Sequence, residues 1–212
     1  MIKDEVETIE SFAAGIRDTA RNGGTVYIFG NGGSASQADH FAGELLGRFR
    51  STDRPPIRAH CLSNEVGALT ATANDFEYAA WPQRFLSACF IPSRDMFIGL
   101  STSGMSENVT RAIRVVTQAR GYCAIMTGER GDPFNPLSPL YDCRARVLAS
   151  VVSSLDVCDI QEATIRCIHE VCKLLEPAAG WVQSGFDLVG DPEGHGEENN
   201  NNDGGAERPY HA

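Results

Sequence analysis

Two short turns contain the residue types best suited to hold a phosphate. The first is GNGGS at residues 30–34, and the second is STSGMS at residues 101–106. Each turn follows a short apolar run and precedes an amphipathic segment, which predicts a strand, a turn and a helix in that order. Free N–H groups at a helix start bind anions, and small residues allow an anion to approach closely. The sequence therefore predicts two anion-binding turns, the second with hydroxyls suited to a phosphate monoester.

Neither turn has the pattern of a nucleotide-binding loop. No Gly-Lys-Ser or Gly-Lys-Thr follows either of them, and neither contains Gly-x-Gly-x-x-Gly. The patterns of a P-loop and of a dinucleotide site are therefore absent. The ligand that we expect is a phosphorylated small molecule.

Four other side chains have types and spacings that suit metal binding or proton transfer. His40 and Glu44 are four residues apart in the helix predicted after the first turn, so they share one face. Gln161 and His169 are eight residues apart in the last predicted helix, about 12 Å of helical rise. Two imidazoles, a carboxylate and an amide oxygen form a donor set for zinc or a similar divalent ion. Spacing alone fits equally with ordinary, partly buried histidines.

Hydrophobic periodicity predicts the elements that must position these residues. Helices are predicted at 3–22, 34–49 with Ser34 as N-cap, 63–73, 106–120 and 156–175, and strands at 23–30, 57–62, 95–101, 122–128 and 145–152. Strands that alternate with helices favour a parallel sheet with helices on both faces. The predicted fold class is α/β, a three-layer sandwich with a central parallel sheet and a long N-terminal helix.

Composition limits the classes of partner. The chain has 212 residues, of which 42% are hydrophobic, enough for one domain with a sizeable core. The net charge of -10 and the lack of clustered basic residues argue against nucleic acid. We expect no membrane association, since no apolar run reaches the roughly 18 residues of a membrane span. The acidic, amphipathic N-terminus differs from a secretory signal, so a cytoplasmic location is expected.

The last part of the chain differs in composition from the rest. From residue 184 onward Gly, Asn and acidic residues dominate, with seven acids against one base. Such a segment buries too little apolar surface to offset the entropy of ordering, which predicts a domain at 1–183 and a disordered tail at 184–212. The seven cysteines show no C-x-x-C pair and no zinc-finger spacing, so we expect buried thiols in a reducing compartment.

Four segments together resemble the signature segments of the phosphoheptose isomerases, members of the sugar isomerase (SIS) superfamily. They are GNGGSASQADHFAGELLGRF, ANDF at 73–76, LSTSGMSENVTRAI and IQEATIRCIH. The resemblance extends to about Pro177 and implies a flavodoxin-like sheet. It also implies a homotetramer with active sites at subunit interfaces.

The resemblance further implies a reaction and a role for each matching residue. The implied reaction converts sedoheptulose 7-phosphate to D-glycero-D-manno-heptose 7-phosphate through an enediol. Glu44 would be the base at the carbon and His169 its acid–base partner. One divalent metal per subunit, expected to be zinc, would be held by His40, Glu44, Gln161 and His169. The expected substrate-binding residues are Asn31, Gly32, Gly33, Ser34, Arg48, Asp75, Ser101, Thr102, Ser103, Ser106 and Gln161.

Several positions depart from the family pattern near the expected sugar site. Ala35 and Ser36 stand where many members carry His-Cys, Met105 and Glu107 flank Ser106, and Cys158 stands where an aspartate is common. Two alternatives follow: an isomerase of another sugar phosphate, or a non-catalytic SIS protein that binds a partner. Non-catalytic members lack the glutamate and the histidine of the last helix, whereas this chain has both.

Overall fold

The computed structural model describes residues 3–51 and 54–176, which form five strands and six α-helices. The strands are β1 (Val26–Gly30), β2 (Ala59–Cys61), β3 (Met96–Ser101), β4 (Tyr122–Gly128) and β5 (Val147–Val152). The helices are α1 (Lys3–Arg21), α2 (Gly33–Leu46), α3 (Val66–Asp75), α4 (Gln83–Cys89), α5 (Glu107–Gln118) and α6 (Val157–Leu174). None of the helices in these two ranges has the length and apolarity needed to cross a membrane.

All five strands form one parallel sheet in the order β2-β1-β3-β4-β5. The order confirms the predicted flavodoxin-like arrangement, because parallel neighbours require crossover connections and helices supply them. β1 and β3 are neighbours, with Gly30 opposite Leu100 in the register. The chain leaves β1 toward one edge of the sheet and later returns to the other side of β1 with β3. Ligands in such folds bind outside the carboxyl ends of the strands where the order reverses.

Two apolar layers cover the sheet and confirm the three-layer prediction. On one face, α1, α2 and α6 bury side chains such as Phe12, Phe41 and Ile168 against the strands. On the other face, α4 and α5 bury Leu86 and Ile113. All six residues of β3 are buried, as expected for a central strand covered on both faces.

Two local features differ from the sequence prediction. Ser34 is not the N-cap of α2, because the helix begins at Gly33 and the N-cap is Gly32, with φ 54°. Glycine adopts this left-handed conformation without a steric penalty, so the N-cap lies two residues earlier than predicted and Ser34 is buried instead. α4 was not predicted, since its seven residues after Pro82 are too few to show a helical period. The predicted tail at 184–212 lies outside the described residues.

Candidate active site at the carboxyl ends of β1 and β3

The two predicted anion-binding turns lie side by side. Each begins where its strand ends, and β1 and β3 pair along their length. A reciprocal amide pair links the turns: Asn31 Nδ2 donates to Asn108 Oδ1 at 3.0 Å, and Asn108 Nδ2 donates to Asn31 Oδ1 at 2.9 Å. Because Asn108 belongs to the first turn of α5, the pair fixes the starts of α2 and α5 relative to each other.

The starts of α2 and α5 have no side-chain cap within the described parts of the chain. Their N-cap residues, Gly32 and Ser106, accept no hydrogen bond from the helix N–H groups through a side chain. The N-cap of α6 differs, because the Asp156 side chain accepts from Cys158 N and Asp159 N. Some N–H groups at these starts are already used, because Ser34 N and Ala35 N donate to backbone carbonyls and Val109 N donates to Asn108 Oδ1. The remaining N–H groups and the positive end of the helix dipole favour an anion at both starts.

Hydrogen bonds within the serine-rich turn hold its hydroxyls in place. Ser101 Oγ donates to Ser106 Oγ at 3.2 Å and accepts from Gly104 N at 3.1 Å. Ser103 Oγ accepts from Met105 N at 3.1 Å. The carbonyl of Thr102 accepts from Gly128 N at 3.0 Å, which attaches the turn to the end of β4. The turn is thus a pre-formed loop with hydroxyls and a helix start in one place.

His40, Glu44 and His169 form a compact cluster on the facing sides of α2 and α6. Their ligand atoms all lie within 4.8 Å of one another. His40 Nε2 lies 3.0 Å from His169 Nε2 and 3.6 Å from Glu44 Oε1. The His40 side chain is 40% exposed and the Glu44 side chain 21%, so solvent and ligands can reach the cluster. Two imidazoles and a carboxylate at this separation fit a divalent metal of the zinc type.

Gln161, the fourth predicted metal ligand, lies beside the start of α2. A Cβ added to Gly33 would lie 2.3 Å from Gln161 Nε2, so the amide occupies the space that a larger residue would need. The carbonyl of Gln161 accepts from Gln37 Nε2 at 2.7 Å. Helices α2 and α6 therefore run side by side in the same direction, with Gln161 near the first turn and His169 near His40.

The end of α2 is fixed to the end of α6 by one buried arginine. Arg54 donates through Nη1 to Leu45 O and through Nη2 to Gly47 O, each at 3.0 Å. Its Nε lies 3.7 Å from Glu176 Oε1, just beyond α6. Glu176 in turn accepts from Ser51 N at 2.7 Å. These contacts hold the two cluster-bearing helices together at the ends remote from the turns.

The structure places the other predicted site residues in different surroundings. Arg48 is exposed beyond the end of α2, and the carboxylate of Asp75, also exposed, accepts from Asn74 Nδ2 at 2.8 Å. Among the described contacts, neither side chain touches the turns or the cluster, so their roles stay predictions. Two residues at the turns, Asn108 and Tyr78, were not predicted from the sequence. The Tyr78 hydroxyl donates to Asn31 Oδ1 at 2.7 Å. The available signal was the position of Asn108, two residues after Ser106.

Comparison with known proteins agrees with this geometry. The SIS domain family model matches residues 1–125. The phosphoheptose isomerase of Helicobacter pylori (strain ATCC 700392 / 26695) is 38% identical over 159 residues, which cover 75% of this chain and 78% of the relative. The phosphoheptose isomerase of Pelobacter propionicus is 38% identical over 176 residues, which cover 83% of this chain and 88% of the relative.

Solved structures of phosphoheptose isomerases superimpose on this chain. A phosphoheptose isomerase from Francisella tularensis superimposes with a TM-score of 0.72 at 26% identity, covering 80% of this chain and 85% of that one. A phosphoheptose isomerase from Neisseria gonorrhoeae superimposes with a TM-score of 0.70 at 27% identity, covering 81% and 87%. The chain therefore belongs to the phosphoheptose isomerase family of SIS-domain enzymes.

Proposed function

We propose that the chain isomerises sedoheptulose 7-phosphate to D-glycero-D-manno-heptose 7-phosphate. The observation that carries the proposal is the cluster of His40, Glu44 and His169 on α2 and α6. α2 begins at the glycine-rich turn, and His40 is seven residues beyond Gly33, about 10 Å along the helix. One element thus offers an anion-binding start and, in His40, a proposed metal ligand within the length of a small sugar phosphate.

The phosphate is proposed to bind at the serine-rich turn. Ser101, Ser103 and Ser106 contribute hydroxyls, and the uncapped start of α5 contributes N–H groups and the helix dipole. This arrangement is consistent with the net charge of -10, because the binding groups are local dipoles and do not need a basic surface.

The proposed chemistry is proton transfer between adjacent carbons and between their oxygens. Glu44 removes a proton from C1 of the ketose, which leaves an enediol, and returns a proton to C2. His169 moves the second proton from O1 to O2, so that C1 becomes the aldehyde and C2 the alcohol. A carboxylate and an imidazole are suited to such steps near neutral pH. No atom is gained or lost overall, as an isomerisation requires.

One divalent metal, proposed to be zinc, would be held by His40, Glu44, Gln161 and His169. Such an ion supplies positive charge that stabilises negative charge developing on sugar oxygens. Glu44 and His169 thereby have two proposed roles, as ligands and as proton carriers. Measuring metal affinity separately from turnover distinguishes the two roles.

The test is turnover of sedoheptulose 7-phosphate by zinc-loaded protein, followed by NMR. We expect an aldoheptose phosphate from the wild type and a loss of about 100-fold or more in Glu44→Gln and His169→Ala. Glu162→Gln is the matched control, because it makes the same chemical change at an exposed position of α6. Its rate should match the wild type. Folded, zinc-loaded wild type that leaves the substrate unchanged would refute the heptose assignment.

The departures at Ala35, Ser36 and Met105 keep another sugar phosphate as the second candidate substrate. These residues lie in or directly beyond the two turns, where they would adjoin the sugar. A panel of five-, six- and seven-carbon ketose phosphates separates the candidates by kcat/KM. A non-catalytic role would instead show as no turnover of any member.

A further inference from the structure

Tyr78, Asn31 and Asn108 form a small hydrogen-bonded network above the two turns. Asn31 Oδ1 accepts from Tyr78 OH at 2.7 Å and from Asn108 Nδ2 at 2.9 Å, while Asn31 Nδ2 donates to Asn108 Oδ1 at 3.0 Å. Asn108 is 3% exposed, whereas Tyr78 is 47% exposed. The network thus connects a buried amide to a tyrosine that ligands can reach.

A backbone group determines the direction of every hydrogen bond in this network. Val109 N, which can only donate, lies 3.0 Å from Asn108 Oδ1, so that atom must be the carbonyl oxygen of the amide. The other atom of Asn108, Nδ2, then donates to Asn31, whose facing atom must be Oδ1. Asn31 Oδ1 cannot donate, and therefore the Tyr78 hydroxyl donates to it.

This direction leaves a defined set of groups for a ligand. Asn31 Oδ1 already accepts two hydrogen bonds, and one N–H of its Nδ2 is used, so one N–H donor is left. The Tyr78 proton is used as well, so its oxygen can only accept. Within residues 3–51 and 54–176, neither remaining group has a hydrogen-bond partner.

The segment that carries Tyr78 is attached to the start of α5. Arg111 pairs with Glu77, the neighbour of Tyr78, and its Nη2 lies 2.5 Å from Glu107 Oε1. Glu107 is the first residue of α5 and directly precedes Asn108. The ring of Tyr78 is therefore positioned relative to the turns by the two ion pairs of Arg111 as well as by the hydrogen bond of its own hydroxyl.

We propose that Tyr78 is a substrate-positioning residue. The hydrogen bonds of Asn108 and Asn31 leave the Asn31 amide to donate to one sugar oxygen and the Tyr78 oxygen to accept from a neighbouring sugar hydroxyl. The inference rests on the proposed function, since it assumes a polyhydroxylated carbon chain at the turns. A ligand with adjacent acceptor and hydroxyl oxygens matches the pair. Inorganic phosphate has no carbon chain and is proposed to bind at the serine-rich turn, so it does not need this pair.

The first test compares the binding of two unreactive probes by calorimetry. The probes are inorganic phosphate and the heptitol 7-phosphate made by reducing sedoheptulose 7-phosphate, which has no carbonyl and cannot isomerise. Tyr78→Phe should weaken binding of the heptitol phosphate about fivefold to tenfold, the effect of one lost hydrogen bond, and leave phosphate binding unchanged. Tyr141→Phe removes a hydroxyl from the connection before β5 and should change neither. In turnover, Tyr78→Phe should raise KM more than it lowers kcat.

The second test addresses the direction of the hydrogen bonds. Asn108→Asp keeps an acceptor for Val109 N but places a carboxylate oxygen against Asn31 Oδ1. It should therefore weaken heptitol phosphate binding at least tenfold more than phosphate binding, and a circular dichroism spectrum like that of the wild type shows that the variant is folded. An equal loss for both probes would show that the added charge alone acts, and the inferred polarity would be wrong.

Unchanged heptitol phosphate affinity in Tyr78→Phe would overturn the proposal. Failure of the heptose assignment is recognised separately, because wild type would then bind phosphate but not the heptitol phosphate. In that case the same Tyr78→Phe comparison, made with the reduced form of the sugar phosphate that the wild type isomerises, decides the proposal. A wild type that binds no polyol phosphate overturns both.

Discussion

Two glycines of α2, Gly33 and Gly43, differ in the space available for an added β-carbon. A Cβ at Gly33 would lie 2.3 Å from Gln161 Nε2. At Gly43, ten residues further along the same helix, no heavy atom of the described residues lies within 4 Å of the equivalent position, apart from the helix backbone and chain neighbours. Identical substitutions at the two positions should therefore have different results.

We expect Gly33→Ala to displace the Gln161 amide and to lower zinc affinity and kcat/KM, by about tenfold or more. Its effect on unfolding should be small, because the end of a flexible side chain can move away. Gly43→Ala should stabilise the protein by about 0.5–1 kcal/mol and leave activity unchanged, because alanine loses less entropy than glycine in a helix. Urea unfolding and a competitive zinc-chelator titration measure the two effects. Equal zinc affinity in Gly33→Ala and wild type would contradict the role given to Gln161.

The thiol of Cys172 is expected to make the free energy of unfolding vary with pH in the alkaline range. Burial raises its pKa to about 12, and the negative charge of Glu44 adds to the effect. Above about pH 9 the thiol ionises in the unfolded chain but stays protonated in the folded one, so the unfolded state binds fewer protons. This contribution to stability is complete below about pH 9 and is lost as pH rises toward about 12.

The expected loss from this thiol is on the order of 1 kcal/mol per pH unit as the pH rises above about 9. Urea unfolding of wild type and Cys172→Ala over this range should show a slope that is less steep in the variant. Cys158→Ala changes an exposed thiol and should keep the wild-type slope. Parallel curves for wild type and Cys172→Ala would show that this thiol is not the cause.

At the scale of elements, Arg54 joins the ends of the two helices that carry the cluster. Its side chain is 1% exposed, and that of Glu176 is 17% exposed. Removing the guanidinium takes a donor from the carbonyls of Leu45 and Gly47 and leaves a mostly buried carboxylate without its cation.

Arg54→Met should destabilise the fold by about 2–4 kcal/mol in urea unfolding. Arg21→Met is the control, because Arg21 pairs with Asp18 at 3.8 Å with both side chains more than 60% exposed. That pair should contribute less than about 1 kcal/mol. Similar losses in the two variants would show that the links to α2 and Glu176 contribute little.

Helices and strands could be predicted from the sequence where the pattern of apolar residues within the segment is clear. The apolar runs of β1, β3 and β4 and the periodicity of α1, α5 and α6 required no partner to be recognised. The contact between Gln161 and Gly33, and that between Tyr78 and Asn31, join residues 128 and 47 positions apart. Spacing carries no information on such contacts. The same is true of Arg54, which looks like any basic loop residue until the ends of two helices are seen to meet there.

At the scale of the whole molecule, α3 exposes an apolar surface. Its only buried residue is Thr72, while Val66 is 64% exposed and Phe76, just beyond the helix, is 61% exposed. Met105 and Leu155, in the connections after β3 and β5, and Val157, the first residue of α6, are also more than half exposed. Exposed apolar area of this kind favours contact with another protein surface, and we expect one contact of the predicted homotetramer to lie here.

We expect light scattering coupled to gel filtration to give the mass of four chains. Val66→Glu should shift the protein toward smaller species, because a charge would have to be buried at the contact. Arg166→Glu changes an exposed residue of α6 outside this surface and serves as control. A fully active monomer would contradict the prediction that active sites lie at subunit contacts.

The order of the strands has a consequence for how the protein folds. The turns after β1 and β3 are about 70 residues apart in the chain and meet only when these strands pair. Closing so long a loop is among the slower steps of folding, since its entropy must be overcome before the contacts form. Affinity for phosphate should therefore develop in refolding together with central-sheet pairing and later than helix formation. A nascent chain ending before residue 96 would have one of the turns and no complete site, so phosphate capture would report that β3 and the start of α5 have been synthesised and docked beside β1.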